Sequence, residues 1–89
     1  MLLHEVLENI RRILAYVGGT MDDIVKVAVF VTDLTELKKI HAVRSEYFSQ
    51  PYPASTLVQV ARLIDPEWLI EIEADAVVPE DRIIEPLTV

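Results

Sequence analysis

Residues 24–32, which read IVKVAVFVT, are apolar on both faces of the β-strand that they predict. Val25, Val27, Val29 and Val31 would point to one side of a sheet, and Ile24, Ala28 and Phe30 to the other, with Lys26 as the sole charge. A strand of this kind normally lies in the centre of a sheet with both faces covered. We therefore expect helices on one face and a separate cover on the other.

Two segments show the periodicity of amphipathic helices. Residues 2–17 place apolar side chains at steps of three and four, and Gly18 can adopt the positive φ that ends a helix. Residues 34–48 predict a second helix, capped by Asp33 with Glu36. The prolines that follow at 51 and 53 cannot continue this helix.

Two more strands are predicted, at residues 56–63 and 69–78, and the last alternates strictly between apolar and acidic residues. The order α-β-α-β-β predicts an α+β fold, with two helices packed on one face of a mixed sheet. We interpret residues 1–78 as one domain and residues 79–89 as an extended C-terminal tail.

Composition limits the classes of protein that this chain can represent. A chain of 89 residues buries only roughly 64% of its unfolded surface, yet 52% of this one is hydrophobic, which favours a subunit interface. The net charge of −7 argues against nucleic acid as a partner, and charges interrupt every apolar run short of a membrane span. Without cysteine there is neither a disulfide nor a cysteine zinc site. Because no secretory signal is visible, we expect a cytoplasmic protein.

Three carboxylates lie on one face of the last predicted strand, at Glu71, Glu73 and Asp75. Their spacing could hold a hard cation, or the face could be solvated or neutralised by Lys26 and Arg62. No loop with calcium-binding spacing is present, and we expect no metal site and no cofactor.

The other candidates for chemistry lie outside any catalytic motif. His4 and His41 fall on different predicted helices; His41, beside a buried stripe, could belong to a pocket, to the core or to the surface. Ser45, Ser49 and Ser55 have no nucleophile elbow around them. The residues alone thus predict an oligomerising α+β domain without a self-evident active site.

Five runs of the sequence stand in unbroken order across about residues 3–78: LENI at 7–10, DDIVKVAVFVTDL at 22–34, EYF at 46–48, PASTLVQVARL at 53–63 and IEIEADAV at 70–77. Together they resemble the RidA/YjgF family, also labelled endoribonuclease L-PSP. The resemblance implies a chorismate mutase-like layer fold and a homotrimer with a small-molecule cleft at each subunit junction. It also implies hydrolysis of reactive enamines and imines to 2-keto acids and ammonia.

The resemblance assigns site residues one by one. Glu71 matches the glutamate that handles water and is the candidate catalytic residue, while Ser55, Thr56, Leu57 and His41 are candidate ligand-binding residues. In deaminating members an arginine that clamps the substrate carboxylate stands where this chain has Ser55. A hydroxyl cannot supply a bidentate, charged fork.

The next arginine along the same strand, Arg62, is seven residues away, too far to substitute from that position. We therefore expect the cleft between subunits to lack the positive charge that the family's arginine supplies in deaminating members.

Length is a second departure, because family members normally carry a β-hairpin before the first helix. We expect either a short member of the family or a start, Met1, that is an internal methionine of a longer one. A short member would expose a sheet edge, which the apolar residues of segment 82–89 would partly cover.

Four functions remain open. The first is a trimeric protein that binds a small metabolite without the standard deaminase activity, and the alternative is an enamine/imine deaminase with an altered substrate. A structural subunit and a ribonuclease are less favoured, the last because of the acidic charge. The expected partners are further copies of the chain and a metabolite, with neither nucleic acid nor membrane.

Overall fold

The computed structural model describes residues 2–84 and confirms the predicted element order and the α+β class. Its helices are α1 (Leu2–Tyr16) and α2 (Leu37–Tyr47), and its strands are β1 (Ile24–Val31), β2 (Ala54–Gln59) and β3 (Ile70–Ala76). Single 3-10 turns precede β1, at Met21–Asp23, and α2, at Leu34–Glu36, and a third follows β3, at Glu80–Arg82. No helix in the described part is long and apolar enough to cross a membrane.

The three strands form a mixed sheet in the order β2-β1-β3, so β1 is central, as its double apolar pattern predicts. β1 runs parallel to β2 and antiparallel to β3. The parallel pair requires a crossover, and α2 supplies it. This crossover lays α2 across the sheet beside β2.

Both helices pack on one side of the sheet, which we call the helix face. Its centre is a core of buried side chains: Leu3, Leu7, Ile24, Val27, Val29, Val31, Ile40 and Phe48. The opposite side, which we call the outer face, carries Ala28 and Phe30 of β1, Thr56 and Val58 of β2, and the acidic side chains of β3. No helix of residues 2–84 packs on the outer face.

The predicted facing of β1 is wrong at its first two residues. Ile24 is 4% exposed and belongs to the core, whereas Val25 is 51% exposed. A register shift against β3 between Ile24 and Lys26 inserts one residue, which reverses the alternation there.

Several predicted boundaries also differ from the structure. β2 begins at Ala54 rather than at residue 56 and ends at Gln59, because Gln59 pairs with Val31, the last residue of β1. The second helix begins as a 3-10 turn that Asp33 caps by accepting a hydrogen bond from the Thr35 N–H at 2.9 Å. Glu36 pairs with Lys39 instead of returning to the cap.

The described part of the tail contains a 3-10 turn and lies against the connection between α1 and β1. The Ile84 N–H donates to the Val17 carbonyl at 3.0 Å, and Arg82 donates two hydrogen bonds to Asp23, at 2.6 and 2.9 Å. Gly18 allows the close approach with its φ of 83°, the positive value predicted for it. Residues 85–89 lie outside the described residues, so a tail that covers a sheet edge stays a prediction.

Candidate functional site

A depression of about 430 Å³ lies between α2 and β2 on the helix face. Its lining residues are His41, Arg44, Ser45, Phe48, Tyr52, Pro53, Ser55 and Leu57. Three of the five site residues that the resemblance assigns, His41, Ser55 and Leu57, therefore meet in one place, together with Ser45. Buried Phe48 and half-buried Leu57 make its floor apolar, and exposed His41 and Tyr52 stand at its rim.

The other two candidates lie on the outer face. Thr56 follows Ser55 on β2 and points to the opposite side, since successive strand residues alternate. Glu71 shares a row of the sheet with Phe30 and Val58, and its side chain is exposed. Two strand spacings, roughly 10 Å, and the sheet itself separate Glu71 from Ser55. A single chain does not unite them.

The depression contains a guanidinium that the sequence analysis missed. Nη2 of Arg44, on α2, donates a hydrogen bond to the Ser55 hydroxyl oxygen at 2.5 Å. Arg44 is half-buried, and this loss of solvent lowers the pKa of its guanidinium. The expectation that the space beside Ser55 lacks a positive charge is therefore wrong.

The error has a definite cause: a guanidinium can reach Ser55 from a neighbouring element as well as from its own strand. Arg44 lies three residues after His41 and hence on the same face of α2. The α2 crossover then places this face over β2. A sequence signal existed in the spacing of His41 and Arg44, but only the parallel pairing of β1 with β2 brings it to Ser55.

The serines show no arrangement for nucleophilic catalysis within residues 2–84. Ser45 donates to the Ala42 carbonyl at 2.7 Å, and Ser49 donates to an Asp22 carboxylate oxygen at 3.0 Å. The Ser55 hydroxyl accepts from a guanidinium, which does not remove its proton. These contacts fit roles in local structure and in positioning Arg44.

The other charged residues that the sequence analysis considered lie away from the depression. His4 is exposed at the start of α1 and contacts a carboxylate oxygen of Glu46 at 2.9 Å. Arg62 donates to the carbonyls of Leu63 and Ile64 rather than to the acidic stripe, whereas Lys26 lies opposite Asp75 across the sheet. No group of three potential metal ligands comes together in the described part of the chain.

A second cavity, of about 540 Å³, lies at the other end of the sheet near the start of α1. Leu3, Val31, Ile40 and Ile70 give it apolar walls, and it includes none of the candidate site residues. We therefore take the α2–β2 depression as the candidate site.

Known proteins place the chain in one family. The sequence model of the family Endoribonuclease L-PSP matches residues 2–78. A RutC family protein of Pyrococcus abyssi is 45% identical over 71 residues, which are 80% of this chain and 55% of that protein. TdcF of Escherichia coli, whose name proposes a reactive intermediate deaminase, is 40% identical over 74 residues, which are 80% of this chain and 57% of that protein.

Solved structures agree. Rv2704 of Mycobacterium tuberculosis, from the YjgF/YER057c/UK114 family, superposes with a TM-score of 0.80 at 34% identity, covering 85% of this chain and 64% of that one. RidA of an Antarctic Psychrobacter gives a TM-score of 0.78 at 38% identity, covering 85% and 61%. The chain belongs to the RidA/YjgF (endoribonuclease L-PSP) family, and it spans little more than half the length of the curated relatives that it matches.

Proposed function

We propose that this protein binds a small metabolite in clefts between the subunits of a homotrimer, without the standard imine deaminase activity of its family. One observation carries the proposal: His41, Ser55 and Leu57 line a depression on the helix face, while Thr56 and Glu71 lie on the outer face. A second copy whose outer face meets this depression would bring both sets of residues to one ligand.

The outer face supports assembly on physical grounds. Ala28, Phe30 and Val58 form an apolar patch there, and Val58 is 39% exposed. Buried apolar area contributes roughly 25 cal/mol per Å², so covering this patch with another subunit is favourable. Such a subunit would also cover the second apolar face of β1, as the sequence of this strand predicts.

Ser55 supports binding rather than the standard reaction. Its neutral hydroxyl lacks the fixed, bidentate charge that a strand arginine would present at this position. The acidic net charge of −7 is unfavourable for an RNA substrate, whatever the family's name suggests.

A second candidate function is hydrolysis of enamines or imines with an altered substrate. The guanidinium of Arg44 beside Ser55 favours it, because a positive charge is present in the depression after all. Glu71 from the neighbouring subunit would then orient or activate water. TdcF bears a name of this kind, and that name belongs to TdcF alone.

Light scattering tests the assembly. We expect a solution mass three times 10.1 kDa for the wild type and a smaller mass for Phe30→Glu, which places a charge in the proposed interface. Ile13→Glu is the matched control, since Ile13 is 67% exposed on α1, away from the outer face. A wild-type mass of one chain would contradict the trimer.

An assay with freshly generated 2-iminopropionate separates the two functions. If the protein only binds its ligand, we expect 2-iminopropionate to decay at the same rate with the protein as in buffer alone. Acceleration well above buffer that Glu71→Ala abolishes would establish the deaminase instead.

A further inference from the structure

Arg44 has an unusual environment for an arginine. Within residues 2–84 its half-buried guanidinium forms no ion pair, whereas Arg11, Arg12 and Arg82 have carboxylate partners and Arg62, which also has none, is exposed. The one hydrogen bond that it forms with these residues goes to the neutral hydroxyl of Ser55, at 2.5 Å.

This environment is costly for the charged form. A guanidinium that loses water without gaining an opposite charge is destabilised, and the lowered pKa of Arg44 reflects this desolvation. Five N–H groups are available on a guanidinium, and Ser55 accepts from one of them. Donors therefore remain for a planar, two-oxygen acceptor.

The surrounding walls suit a small organic group behind such an acceptor. Phe48 and Leu57 offer apolar contact, and Tyr52 offers a ring at the rim. A ligand with a carboxylate at one end and a short aliphatic chain at the other complements both features.

We infer that Arg44 is the anchor for the carboxylate of the ligand, held in place by Ser55. The inference rests on the proposed metabolite-binding function and deepens it by naming the ligand class, small monocarboxylates, and the residue that selects them. Arg44 is thus a binding residue contributed by α2, in a position from which its charge reaches the space beside β2.

The test compares butyrate with its neutral isostere butanamide and with butylammonium, using the assembled protein labelled with ¹⁵N and titrated at low salt. We expect butyrate to shift the backbone amides of Ser55 and Leu57 and the side-chain Nε–H of Arg44. We expect butanamide to bind at least tenfold more weakly and butylammonium to cause no shift at these groups.

Variants then assign the effect to Arg44. Arg44→Met should weaken butyrate binding at least tenfold, and Arg44→Lys, which keeps the charge but not the fork, should lie between Met and the wild type. Arg62→Met is the matched control, because Arg62 donates to carbonyls of its own loop and does not line the depression, and it should bind like the wild type. Each variant is first shown to have the wild-type mass and circular dichroism.

The outcomes separate the inference from the function beneath it. Butyrate and butanamide binding equally well at the depression, or Arg44→Met binding like the wild type, would overturn the role of Arg44 and leave metabolite binding standing. Absence of shifts with all three probes would contradict both. Should Arg44→Met fail to fold, the probe comparison on the wild type and Arg44→Lys decides.

Discussion

The guanidinium of Arg44 and the hydroxyl of Ser55 lie 2.5 Å apart, across the gap between helix α2 and strand β2. Neither residue completes a site alone, because the arginine is long and mobile in principle and the serine is neutral. Together they fix a positive charge at the side of an apolar depression.

Removing the hydroxyl should loosen this charge without removing it. We expect Ser55→Ala to weaken butyrate binding by about two- to tenfold, the usual worth of one hydrogen bond, and hence less than Arg44→Met does. Ser55→Thr keeps a hydroxyl and should bind nearly as well as the wild type. Isothermal titration calorimetry measures all three, and a loss with Ser55→Ala as large as with Arg44→Met would show that Ser55 contacts the ligand itself.

Cross-linking can show whether the two halves of the site come from different chains. The chain has no cysteine, so a pair introduced at His41→Cys and Glu71→Cys is unique. Because these positions lie on opposite faces of the sheet, we expect a short bis-maleimide to join them between chains and to produce dimers and trimers on a denaturing gel. The pair Ile13→Cys with Glu71→Cys should remain monomeric, and equal cross-linking of both pairs would contradict the proposed arrangement.

Gly18 should be the most sensitive position of the α1–β1 connection. Its φ of 83° is unfavourable for any other residue, and an added Cβ would overlap the Arg82 carbonyl. We expect Gly18→Ala to lower the free energy of unfolding by about 1–3 kcal/mol or more and to speed hydrogen exchange at the Ile84 amide. At Gly19, whose φ is not positive, an added Cβ would meet Val78 Cγ2 at 2.9 Å and the Leu14 carbonyl oxygen at 3.3 Å, against 1.8 Å to the Arg82 carbonyl oxygen at Gly18. Gly19→Ala should therefore cost less, and equal losses in urea unfolding would contradict this account.

The ion pair between Arg82 and Asp23 should make stability depend on pH in the acid range. Hydrogen bonds from Arg82, with one from the Thr20 N–H, lower the pKa of Asp23 from 3.8 to about 2. A carboxyl whose pKa is lower in the folded chain stabilises the fold above pH 3.8, and this contribution is lost as the pH falls towards 2.

Arg82→Met should therefore be less stable than the wild type at neutral pH, and the difference should shrink between pH 3.8 and about 2. Part of the pH dependence that Asp23 causes should remain in this variant, because the Thr20 N–H still donates to the Asp23 carboxylate. Urea unfolding followed by circular dichroism at each pH measures the difference. Arg12→Met, which removes an exposed pair with Glu8, is the control, and a difference independent of pH would exclude this origin.

Most of the fold could be predicted because its signals are periodic and local. The apolar stripe of α1 and the alternation of Ile70, Ile72 and Ala74 mark the side chains that face the core, and the structure shows those faces. The double apolar pattern of β1 predicts its place in the centre of the sheet. The bulge near Ile24 and the ends of β2 depend on pairing between distant residues, which no local pattern encodes.

The site could be predicted only in part, for a related reason. Ser55, Leu57 and His41 were found together because the family motif marks their positions. Arg44 lies outside the family motif, and its proximity to Ser55 follows from the path of α2 over the sheet. Functional residues that reach a site from another element are visible only once the topology is known.

The placement of His41 and Glu71 on opposite faces of one sheet has a consequence for the living cell. If each pocket needs two neighbours, an isolated chain holds no ligand, and the number of working pockets rises more steeply than the number of chains. Expression level would then act as a threshold: scarce protein would leave the metabolite free, and abundant protein would capture it.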